Sequence, residues 1–209
     1  MTPENITEMF SDAEGAYKFA RWGRPIVPVV FGVEDATLNV VKGAIEAVVS
    51  MAGHKMAEHD PELGANLLIF FLRDWSELAE VKDMDQLVPN MGPLLDRLTA
   101  QEANQYRLFR FDDSGAIQAC FLFLRVDAAM QEMAAEDIAL GQAAQMMLVW
   151  GASAFSAQSP LAHLPDGKGS VLRPDVAAII RASYDATMPV AANDPAHALR
   201  IFARLGDIA

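Results

Sequence analysis

Gln142 and Gln145 are polar intrusions on the most apolar helical stretch of the chain, and their i, i+3 spacing puts both amides on one helix face. A primary amide donates and accepts, and when buried it must find partners, so the pair either tethers neighbouring loops and strand ends or lines a cleft. Arg21, Trp22 and Arg24 bracket Gly23, placing planar cations beside an aromatic face. That combination suits carboxylate recognition, or pairing with the chain's own acids. The histidines are His54, His59, His163 and His197. His54 and His59 fall in His-Lys-Met-Ala-Glu-His-Asp, with Glu58 and Asp60 as oxygen donors, but a polar connector fixes metal ligands poorly and a solvated loop is expected. His163 lies in a Pro- and Gly-containing loop, the kind of segment that supplies binding residues when a rigid core carries it. The candidate binding residues are therefore Arg21, Trp22, Arg24, Gln142, Gln145 and His163; no catalytic residue, metal ligand or cofactor is assigned.

Several chemistries lose their support directly. The sequence holds no G-x-G-x-x-G after a strand, no G-x-x-x-x-G-K-[ST] and no G-x-S-x-G, and its single cysteine forbids C-x-x-C. These absences lean against an enzyme. Carboxylates such as Glu132, Glu136 and Asp137 keep open a carboxylate-dependent hydrolase or other enzyme, although sequence cannot bring them together.

The elements that must position these residues can be read from periodicity. Ser11-Asp-Ala-Glu14 has capping-box spacing and predicts a helix to about Arg21, so residues 1–20 read as an N-terminal helical extension of a single domain spanning 1–209. Pro25 to Phe31 is β-branched but holds two prolines, which predicts an edge strand or one that pairs over part of its length. Asp35 to Ala52 repeats apolar residues at helical intervals, and Asn66 to Leu72 is an apolar run suited to a central strand. A helical turn from Asp74 to Ala79 and a short helix from Gly92 precede a hairpin of Gln105 to Phe111 and Ala116 to Val126, turned by Asp112-Asp-Ser-Gly115. Ala134 to Trp150 reads as a long core helix, 153–170 as loop, and Pro174 to Tyr184 and Asp194 to Gly206 as two closing helices. The fold class is α+β: a mixed sheet of about four strands packed by the long core helix, with a helical C-terminal third.

Charge narrows the partners. The 28 acidic residues outnumber 16 Lys and Arg, giving a net charge of -12 with no basic run, so nucleic acid and anionic membrane surfaces are disfavoured. No apolar run approaches the roughly 20 residues of a membrane span. Met1-Thr-Pro-Glu-Asn5 has neither the basic nor the apolar region of a secretory leader, and Cys120 sits alone in Ala-Cys-Phe-Leu-Phe-Leu, where a buried thiol is expected. The cytoplasm is the expected compartment.

Arg21-Trp-Gly-Arg-Pro-Ile-Val-Pro-Val-Val-Phe-Gly32, Gly64-Ala-Asn-Leu67, Gly115-Ala-Ile-Gln118, Leu172-Arg-Pro-Asp-Val176 and Tyr184-Asp185 resemble a bacterial domain-of-unknown-function family with a zincin-like, metallopeptidase-related layout. The resemblance spans about residues 20 to 205. In a zincin, the long helix after the sheet carries H-E-x-x-H, two histidines binding zinc and a glutamate activating water. Here Gly141-Gln142-Ala-Ala-Gln145 stands at that place, and neutral amides neither ligate zinc well nor act as bases. The resemblance thus implies the architecture without the peptidase activity: a non-catalytic domain binding a peptide or protein partner beside the long helix. A self-associating subunit, forming a homo-oligomer, is a third alternative.

Overall fold

The computed structural model describes residues 1–81, 84–165, 167 and 169–206. In chain order the elements are α1 (Pro3–Met9), β1 (Phe19–Ala20), β2 (Pro28–Phe31), α2 (Asp35–Met51), β3 (Leu67–Leu72), α3 (Glu77–Glu80), α4 (Met84–Leu87), α5 (Met91–Ala100), β4 (Gln105–Phe111) and β5 (Ile117–Arg125). They are followed by α6 (Ala128–Gln131), α7 (Ala135–Met146), β6 (Leu161–His163), β7 (Ser170–Leu172), α8 (Pro174–Ser183), β8 (Ala191–Ala192) and α9 (Ala196–Leu205).

The fold is α+β, built on a mixed sheet of order β2-β3-β5-β4. β2, β3 and β5 run parallel, and β4 returns antiparallel along β5. The helix α2 is the crossover that a parallel β2 and β3 require, and its buried Val41, Ile45, Val48 and Val49 lie against the sheet at helical spacing. Period-two alternation sorts β3 and β5 onto two cores. Leu67, Ile69, Cys120, Leu122 and Leu124 join α2 and α7 on one face, while Phe70, Leu72, Phe121 and Phe123 join Leu78, Met84, Leu94 and Leu98 of α3 to α5 on the other. Covered on both sides, β3 and β5 can afford no polar face, which is why both read as continuous apolar runs.

Two edges remain. Pro28 on β2 fits the expected edge strand, because its missing N–H costs no ladder bond there. β4 is the other edge, and its residues line a cleft.

Three expectations need correction. The Ser11 to Arg21 helix does not form: Thr2 and Asn5 make the capping box for α1, Asp12 Oδ1 accepts from the amides of Glu14 and Ala16 in a turn, and Phe19–Ala20 pairs with β8. A short aspartate carboxylate that satisfies local amides favours a turn over a helix. The α1 segment is also part of the main core, since Ile6 and Phe10 are fully buried there. The long helix stops at Met146, four residues early, because tertiary partners take its end. The Trp22 indole donates to Met146 O at 2.9 Å, the Tyr184 hydroxyl donates to Met147 O at 2.8 Å, and Val149 N–H donates to Ala20 O. Within 153–170, residues Leu161–His163 form a strand paired with Ser170–Leu172. Among the described residues no helix is long and apolar enough to cross a membrane.

Candidate binding cleft

A cleft of about 500 Å³ opens between β4, the C-terminal end of α7 and the segment 150–156. Gln105, Tyr106 and Arg107 all line it. Successive side chains of a strand point to opposite faces, so three consecutive lining residues mean that the strand's edge faces the cleft.

The backbone pairing says what that edge offers. Arg125 N–H donates to Asn104 O, and Gln105 stands opposite Leu124. Antiparallel alternation then directs the N–H and C=O of even positions such as Tyr106 to β5, and those of Gln105, Arg107 and Phe109 away from it.

The side chains of the odd positions lie on the α7 side of the sheet. Arg107 Nη2 donates to Gln142 Oε1 at 2.5 Å, and Gln142 Nε2 donates to Gln105 Oε1 at 2.9 Å. Arg107 is half-buried with its Nε shielded and unpartnered, and burial holds its pKa below the usual guanidinium range. Among the described residues no carboxylate pairs with it, and none lines the cleft. Gln145 donates to Gly141 O of its own helix at 3.3 Å and lines the cleft beside Trp150 and Phe155, whose rings meet edge to face at 5.0 Å. Gly151 is required behind them. A Cβ there would lie 2.1 Å from the Ser11 carbonyl oxygen, while its N–H donates to Met9 O at 2.8 Å.

Of the candidates named from sequence, Gln145 lines this cleft and Gln142 stands behind its wall, bonded to Arg107 and Gln105, while the others lie elsewhere. Arg21 and Trp22 form a separate staple: Arg21 lies 5.3 Å over the Tyr184 ring and donates to Met188 O, and Trp22 is fully buried. Gly23 sits where a Cβ would approach Ala116 Cβ to 2.8 Å. Arg24 pairs with Glu62 at 2.7 Å and Asp60 at 3.4 Å, and hydrogen bonding to Glu62 is the main cause that raises its pKa. His163 is exposed on the β6 hairpin, with Nδ1 at 2.9 Å from Ser170 Oγ.

The connector of His54 and His59 is only partly solvated. His54 Nε2 lies 2.9 Å from Arg24 O, and its pKa is lowered by burial, whereas His59 is exposed. Asp60 is buried and accepts from the amides of Glu62 and Leu63 and from Asn66 Nδ2. Among the described residues no three His, Cys, Asp or Glu side chains converge to hold a metal ion. Glu132, Glu136 and Asp137 lie outside the cleft.

Arg107 is the residue missed from sequence. The signal was there: in Gln105 to Phe111 it shares strand parity with Gln105, Phe109 and Phe111, so it is the one cation on a face that ends in two aromatics. Trp150 and Phe155 carried no such signal, because their place depends on where α7 ends.

No family model matches the chain, and no curated protein and no solved structure matches it either.

Proposed function

We propose that this chain is a non-catalytic, zincin-like domain that binds an extended segment of a peptide or protein partner along the edge of β4. The observation that carries this reading is the exposure of one strand edge to a cleft wide enough for a ligand, with outward backbone groups at Gln105, Arg107 and Phe109. Strand addition supplies affinity through main-chain hydrogen bonds and selectivity through alternate side chains. A sheet with an antiparallel edge strand, followed by α7, is the order of elements that the zincin-like resemblance implies. Gln142 and Gln145 on α7 are spent on hydrogen bonds to protein groups, which suits a binding role better than water activation. The lone thiol of Cys120, fully buried, fits a cytoplasmic setting.

The test is selection of N-acetylated, C-amidated random octapeptides on the immobilised full chain. Ala152 is exposed at the cleft, and Ala152→Trp should block it without touching the core. Enriched sequences that bind the wild type and lose binding to Ala152→Trp are expected. The absence of any enrichment, or binding that Ala152→Trp leaves unchanged, contradicts the reading.

A further inference from the structure

We propose that the cleft selects its peptide by an acidic side chain placed directly opposite Arg107, with an apolar side chain two residues away opposite Phe109. This rests on the strand-addition reading and names the ligand class it takes.

Among the partly buried arginines, Arg107 is the one that lines the cleft. Elsewhere in this chain of 28 acids and 16 Lys and Arg, Arg24 meets Asp60 and Glu62, Arg173 meets Asp175 and Arg204 meets Asp185, while Arg21, also without a carboxylate, rests on the Tyr184 ring and donates to Met188 O, and Arg125 donates to the carbonyls of Ala103 and Glu102. Arg107 is given an amide instead. Gln142 takes one nitrogen and Nε has no partner. A half-buried guanidinium without a counter-ion is costly, and a ligand carboxylate is the group that relieves it.

Sheet geometry sets where that carboxylate must come from. A residue paired opposite Arg107 on an added strand has its Cβ on the same face, about 5 Å away, within reach of a Glu or Asp side chain. The planar fork of arginine accepts a carboxylate through two parallel N–H groups, which a lysine cannot reproduce. Two positions along, the peptide's next same-face side chain meets Phe109, which lines the cleft together with Trp150 and Phe155. The recognised pattern is therefore an acidic and an apolar residue separated by one, in an extended segment.

The experiment sequences the capped octapeptides recovered on the wild type, Arg107→Gln and Arg107→Lys, then remakes the best wild-type binder with its acidic residue changed to Gln or Asn. Fluorescence anisotropy of the labelled peptides gives the Kd values. On the wild type the acidic peptide should bind roughly tenfold tighter than its amide counterpart, in line with a hydrogen bond to a charged group. On Arg107→Gln the ratio should fall to about one, with Arg107→Lys between. The comparison of two peptides on the wild type stands even if a variant fails to fold. Enrichment without an acidic residue, or a ratio on Arg107→Gln that stays near the wild-type value, overturns the proposal while leaving the peptide cleft intact. An uncapped amide peptide that binds as tightly as the capped acidic one overturns it in favour of the chain terminus. No enrichment of any peptide defeats the cleft reading itself.

Discussion

The Tyr17 hydroxyl and His197 Nδ1 share a 2.8 Å hydrogen bond across 180 residues of sequence, tying the segment after α1 to the first turn of α9. The imidazole lies 4.2 Å from the Phe19 ring, and its Nε2 is shielded without a partner. Burial first, then the charges of Arg200 and Arg204, pushes the His197 pKa from 6.5 down to about 4.

That shift has a stability consequence. Between pH 6.5 and 4 the unfolded chain binds a proton that the folded chain refuses, so this contribution is fully present above about pH 6.5 and is lost as pH falls. The full loss is about 3 kcal/mol at most. Urea unfolding of the wild type at pH 7 and pH 5 is expected to show a larger drop than His197→Asn shows over the same interval. Equal drops would place the acid sensitivity in other groups.

Gln142 and Gln145 should separate cleanly in thermal melts. Gln142→Ala strips the guanidinium of Arg107 of its amide partner and is expected to cost about 1–3 kcal/mol. Gln145 makes one 3.3 Å bond to its own helix, so Gln145→Ala should melt close to the wild type and act on peptide binding instead. A reversed order would mean that Gln145 carries the structural role.

Cys120 is 0% exposed in the centre of the sheet, and burial pushes its thiol up to about 12, with Arg107 opposing weakly. The thiolate is the reactive species, so modification by a thiol reagent at pH 8 should be at least about a hundredfold slower in native buffer than in denaturant. Comparable rates would contradict the packing of β5.

Proline placement tests the edge. Gln105→Pro removes an N–H that points away from β5, so the fold should persist and peptide affinity should fall. Tyr106→Pro removes a ladder donor to β5 and is expected to cost about 3 kcal/mol. Circular dichroism melts with anisotropy distinguish them, and equal destabilisation would show the alternation along β4 to be misassigned.

Much of the scaffold was legible in sequence because it depends on local pattern. Leu67 to Leu72 and Phe121 to Leu124 announced central strands by uninterrupted apolar runs, and the helix from Asp35 by its period. What stayed hidden was decided by distant partners. Ser11 and Glu14 match a capping box, yet the segment that follows is drawn into pairing with Ala191–Ala192; Met147 to Trp150 are helix formers, yet Trp22 and Tyr184 take the carbonyls at the helix end. The same distance hid half of the cleft. Gln142 and Gln145 stood out as amides on an apolar helix, while Arg107 became a site residue only once β4 was known to be an edge beside α7.

The central claim is that β4 pairs with an extended ligand, and backbone amide hydrogen exchange followed residue by residue tests it most directly. With a saturating selected octapeptide, the amides of Gln105, Arg107 and Phe109 are expected to gain protection, while that of Tyr106, already bonded to β5, changes little. Protection that falls elsewhere, for instance on Leu161–His163, or that spares the odd positions of β4, would contradict it.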